Sequence, residues 1–142
     1  MKLTFPKITQ PIDLVDYAPE MVQDDGKPAL VYVWVNPPAA LMNAHAALRA
    51  RAQVAMKKVK DAEASQDEAA TLAVVRELAD VGTALFDVFA QLWSARSDEA
   101  THWTAEEVKE LANNVENPAL YSWITSRTIA AINEYRGGIR KN

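Results

Sequence analysis

Between Ser65 and Arg96 the apolar residues recur at steps of three and four for longer than anywhere else in the chain. Leu72, Val75, Leu78, Ala79, Gly82, Leu85, Phe86, Phe89, Leu92 and Trp93 fall on one continuous side of a helix. Ser65 and Glu68 have the spacing of a capping box, with Asp61 to Asp67 as the turn region ahead of it. At ~1.5 Å per residue the stretch extends roughly 45 Å, more than one small domain readily covers. Its second half, Leu85 to Trp93, is expected to pack on the last two helices, and its first half to pair with the preceding helix or lie open to another subunit. Gly82 interrupts the stripe at a cost of about 1 kcal/mol relative to alanine, so a close neighbour or a bend is expected there.

The preceding segment, Pro38 to about Ala64, is alanine-rich and carries Leu41, Met42, Leu48, Val54, Met56 and Val59 in a thin apolar stripe. Arg49, Arg51, Lys57, Lys58 and Lys60 lie on it with no acid among them. The polar side of the next helix is acidic, with Asp67, Glu68, Glu77, Asp80 and Asp87 against Arg76 and Arg96. The two helices can therefore pair as an antiparallel hairpin with charges flanking the seam. The basic run reads first as a solvated helix face, and second as a surface for an acidic partner or a phosphate backbone.

Ahead of these helices, residues 1–28 hold four of the seven prolines and a set of acids, which disfavours helix. Ile12 to Tyr17 alternates apolar and acidic side chains as a half-buried strand does, and Asp25-Gly26 is a turn signal. Ala29 to Val35 is the strongest strand, with Val31, Val33 and Val35 on one face and Leu30, Tyr32 and Trp34 on the other. Both faces are apolar, so one is expected on the helices and the other on a further element or another subunit. Asn36-Pro37-Pro38 ends the strand and marks the boundary between a ribbon, 1–37, and a helical domain, 38–142.

After the polar break Ser97 to Thr101, Thr104 and Glu107 form a second capping-box pattern, with Trp103 placed to staple onto Val108. Val108, Leu111, Ala112 and Val115 give this short helix its inner face. Asn117-Pro118 opens a last helix with Leu120, Trp123, Ile124, Thr128, Ala131, Ile132 and Tyr135 at helical spacing, and Gly137-Gly138 is expected to end it. The fold class is therefore mainly α: a four-helix domain with a small N-terminal two-stranded β-ribbon.

The pattern excludes most chemistry. The 142 residues contain no cysteine, which removes thiolate metal sites and cysteine nucleophiles and fits an intracellular protein. His45 and His102 are in different elements and in no metal-ligand spacing, and no serine sits in a glycine-flanked elbow. The four glycines build no phosphate loop, and paired acids such as Glu106-Glu107 suit caps and turns. No catalytic residue, metal site or cofactor is expected. A net charge of −4 argues against a dedicated nucleic-acid binder, and the last two helices lack the basic face of a helix-turn-helix, since Arg127 is the first cation of the second. The N-terminus has no secretory core and no apolar run approaches the ~20 residues of a membrane helix, so the chain reads as cytoplasmic.

Lys27 to Pro38 (Lys-Pro-Ala-Leu-Val-Tyr-Val-Trp-Val-Asn-Pro-Pro), the alanine-rich helices, Trp103-Thr-Ala-Glu-Glu-Val and Asn117-Pro-Ala-Leu-Tyr-Ser-Trp-Ile together resemble the tail assembly chaperones of long-tailed bacteriophages. The resemblance is one of layout over most of the chain. It implies a protein that binds the tape measure protein, keeps its apolar helices soluble, helps recruit tail tube protein, self-associates and leaves before the tail is complete. It also implies a longer frameshifted product, for which codons of Arg140-Lys141-Asn142 can supply a slippery run.

The expected function is accordingly a non-enzymatic assembly chaperone with a protein client and a homo-oligomeric state. Its candidate partner-binding residues are Val31, Val33, Val35, Tyr32 and Trp34 on the strand and Arg49, Arg51, Lys57, Lys58 and Lys60 on the first helix. The alternatives are a DNA-associated regulatory module using the basic residues and a structural head-tail component of a virion.

Overall fold

The computed structural model describes the chain except positions 2, 4, 94–103, 114–118 and 142. It is mainly α, with four helices and a two-stranded antiparallel sheet at the N-terminal end: β1 (Thr9–Asp13), β2 (Leu30–Trp34), α1 (Ala39–Ala64), α2 (Glu68–Trp93), α3 (Ala105–Ala112) and α4 (Leu120–Lys141). No helix among the described residues is long and apolar enough to cross a membrane. The chain divides into two compact units, one of Met1–Pro37 with Ala90–Asn142 and one of Pro38–Phe89.

In the first unit β1 and β2 pair with Pro11 opposite Tyr32 and Ile12 opposite Val31. Leu14 N–H donates to Ala29 O at 3.0 Å and Val35 N–H to Ile8 O at 2.9 Å. Even-numbered residues of β1 therefore face the ladder, and Pro11, which has no N–H, faces away from it. The Asn36 side chain prolongs the ladder: its Oδ1 accepts from Ile8 N–H and its Nδ2 donates to Pro6 O, both at 2.8 Å. The alternation over Ile12 to Tyr17 predicts a strand there. Only Ile12 and Asp13 belong to β1; from there Asp13 Oδ1 accepts from Val15 N–H at 3.1 Å and the chain turns through one 3-10 helix, Leu14–Asp16, which buries Leu14 completely. A short polar side chain captures the backbone locally and takes it out of the ladder. Gly26, at φ +80°, makes the Asp25-Gly26 turn, where its N–H donates to Gln23 O at 2.8 Å.

Helix α4 packs on both strands and on α3. Its buried stripe is Leu120, Ile124, Thr128 and Ile132, all without exposure, as are Val31, Val33 and Val35. The last turn of α2, in this unit, adds Leu92 and Trp93. At the margin Tyr17 and Trp123 stack obliquely with ring centres 5.4 Å apart, and Arg127 lies 5.8 Å over the Trp123 ring and 3.9 Å from Asp16. The capping box of α3 is made as its sequence predicts: Glu107 N–H donates to Thr104 Oγ1 at 3.2 Å and Thr104 N–H to Glu107 Oε1 at 3.5 Å. The proposed staple residue Trp103 and the Asn117-Pro118 helix start lie outside the described residues. Gly137-Gly138 does not end α4, which continues to Lys141. Neither glycine takes the positive φ of a helix terminator, and a glycine permits that conformation without imposing it.

In the second unit α1 and most of α2 form a helical hairpin. The chain reverses through Ser65 to Asp67, with Gln66 at φ +58°. Residues equally far from that turn meet, since the rings of His45 and Phe89 contact edge to face with centres 5.4 Å apart. Ser65 does not cap α2: it is the C-cap of α1, and its hydroxyl donates to Ala62 O at 3.0 Å. Asp67 caps α2, its Oδ1 accepting from Ala70 N–H at 3.1 Å. Asp67 stands immediately before the first helical residue, where its carboxylate reaches a free amide that Ser65 cannot. The close neighbour expected at Gly82 is not there either, because a Cβ on it would meet nothing within 4 Å.

Candidate interaction surface

The buried stripe of α1 is made of small residues. His45, Ala55 and Ala62 are buried and Leu41, Leu48, Ala52 and Val59 are half-buried, a three-four alternation along the side of α1 from which His45 reaches Phe89 of α2. On α2, Val81 and Val88 are buried and Val74 is half-buried at helical spacing. Pairing uses one stripe of α2, but the helix carries a second, at Leu72, Val75, Ala79, Gly82 and Phe86. The end of that stripe is covered, with Phe86 at 9% exposure, whereas Leu72 and Val75 stand 53% and 45% exposed and Ala79 and Gly82 are also exposed. On the adjoining flank of α1, Met56 is 54% exposed. Glu63 of α1 and Leu72 and Val75 of α2 line one open concavity near the hairpin turn, so the two flanks belong to the same side of the hairpin.

Arg49, Arg51, Lys57, Lys58 and Lys60 are all exposed on α1. Helical spacing separates them: Arg49 and Lys60 border the Met56 flank, Arg51 and Lys58 border the opposite flank with Val54, and Lys57 points away from α2 between them. They spread over both flanks and the outer side of the helix and make no single stripe that could follow a phosphate backbone. Beside Arg49, the buried His45 ring has its pKa lowered, first by loss of hydration and then by the Arg49 cation.

The strand residues fall into two groups. Val31, Val33 and Val35 are wholly buried within the chain, so the valine face is already covered. Tyr32 and Trp34 are half-buried on the other face, where Lys7 Nζ lies 4.2 Å over the Trp34 ring and Trp34 Nε1 is buried with no hydrogen-bond partner among the described residues. Sequence reasoning puts the valines forward and passes over Met56, whose signal is an apolar side chain between Arg49 and Lys60 on a polar flank. Among the described residues no group of three or more histidines, aspartates or glutamates is arranged to hold a metal ion.

The fold and surface define a mainly helical chain with an open apolar hairpin face. Comparison with family models, curated proteins and solved structures finds no match to it.

Proposed function

We propose that the protein is a non-enzymatic tail assembly chaperone of a long-tailed bacteriophage, acting in the host cytoplasm on the tape measure protein and helping to recruit tail tube subunits. The observation that supports this reading is the open apolar stripe of α2. Leu72 and Val75 stay exposed on a helix whose other stripe is buried, while small Ala79 and Gly82 leave room for a helix to approach closely. An amphipathic client helix lays its apolar side into such a surface through anchors at steps of three and four. The outer face of β2, with Tyr32 and Trp34, offers aromatic area of the kind that dominates interface energetics. The five cations of α1 act here as solubilising and orienting charge, since their spread over two flanks suits phosphate binding poorly.

Co-expression with a tape measure protein tests the proposal. The client is expected to move from the insoluble to the soluble fraction, and Leu72→Asp with Val75→Asp is expected to reverse the gain. An unchanged soluble yield with the wild-type chain would overturn it.

A further inference from the structure

We infer that the open concavity beside the hairpin turn takes an arginine or lysine side chain of the client helix, and that this contact sets the direction in which the helix lies. The inference rests on the reading of the α2 stripe as a client site and adds to it the charge and polarity of the client. The concavity, about 640 Å³, has an apolar wall of Leu72 and Val75 and an acidic rim of Glu63, Asp67 and Glu68, with no cation among its described lining residues. Glu63 and Glu68 are exposed and make no ion pair among the described residues, even though Lys60 stands within a turn of Glu63 on α1. Asp67 is held on the rim by its bond from Ala70 N–H.

The helix ends at the turn do not offset this charge. The C-terminal end of α1 carries roughly half a negative charge and the N-terminal end of α2 roughly half a positive one, so the two nearly cancel and the carboxylates remain. A side chain that suits both surfaces has a methylene stem for Leu72 and Val75 and a cationic head for the rim, which describes arginine and lysine. Farther along α2 the neighbouring charges are mixed, Arg76 with Asp80 and Asp87. At the end away from the turn, Arg49 lies one turn from the His45 contact with Phe89 and borders the same side of the hairpin. A cation on the client is therefore drawn to the turn and repelled from the opposite end, so the client's apolar anchors run from the turn toward Gly82.

Two labelled synthetic helices test this, sharing one leucine stripe and differing only in carrying arginines or glutamates beyond one end of it. The native chain is expected to bind the arginine helix about tenfold more tightly in a fluorescence anisotropy titration. The preference should shrink as salt is raised, because the rim is open to solvent. Glu63→Gln with Glu68→Gln should bring the two helices to near-equal affinity; both residues are exposed, and Asp67 is kept because it caps α2. Equal binding of the two helices by the native chain, or a preference that survives the double substitution, would overturn the inference and leave the apolar client site standing. Binding of neither helix would overturn both. Displacement of the arginine helix by an equal concentration of spermidine would assign the rim to a free polycation and overturn the inference as well.

Discussion

The indole Nε1–H of Trp93 donates to the hydroxyl of Thr128 across 3.0 Å, and that hydroxyl donates in turn to Ile124 O at 2.8 Å. Trp93 and Thr128 are essentially unexposed, so the hydroxyl is acceptor and donor at once in a site water does not reach. Thr128→Val keeps the shape and removes the acceptor, leaving the indole without this bond. The expected loss is about 1–3 kcal/mol of unfolding free energy in urea, with a shift in tryptophan emission. Thr128→Ser should retain most of the stability, being short of a methyl group only. Equal midpoints for Thr128→Val and the native chain would mean that this bond does not hold the last turn of α2 to α4.

Gly82 tests the open face. It lies inside α2, and a Cβ built on it meets nothing within 4 Å, so alanine there fills only open space. Gly82→Ala is expected to raise stability by about 1 kcal/mol, through helix propensity and a less flexible unfolded chain. The measurement is thermal or urea unfolding at high dilution. A loss of stability at high dilution would mean that Gly82 is closely packed after all.

The helices were legible because a 3.6-residue period sustained over two dozen positions arises in few conformations besides a helix, and α1 ends at Ala64 where its pattern does. Caps were legible only where one candidate stood in reach. Thr104 had no rival, whereas Ser65 competed with Asp67, which is adjacent to the helix and won. The strand boundary failed at Asp13 because a single Asx contact outweighs an alternation that both a strand and a 3-10 turn can satisfy with Leu14 inward. The candidate surface was legible in part. The apolar stripe of α2 was evident, but which half of it is covered depends on packing between segments far apart in sequence, and so does the burial of Val31, Val33 and Val35.

Thr104→Ala removes one side of the box that starts α3. Both the Glu107 amide bond and the Thr104 hydroxyl contact with Glu107 Oε1, at 3.1 Å, are then lost. A cost of about 1 kcal/mol is expected, concentrated in this eight-residue helix, which has little internal cooperativity of its own. Amide exchange should accelerate in α3 first, and Thr104→Ser should leave it nearly unchanged. Uniform acceleration across all helices would instead mean that α3 opens only with the whole unit.

His45 makes the hairpin sensitive to acid. Burial against Phe89 and then the Arg49 cation lower its pKa, so the folded hairpin binds a proton less readily than the unfolded chain does. Stability therefore rises with pH wherever the unfolded histidine is the more protonated, and the contribution is complete above the ordinary value of 6.5. As pH falls through that value the contribution is lost, by at most about 1.4 kcal/mol per pH unit for one group. Urea midpoints measured from pH 7.5 down to pH 5 should fall for the native chain. His45→Leu has nothing to protonate at this site, so its profile should be flatter over the same range. Parallel profiles for the two proteins would show that the acid sensitivity arises elsewhere.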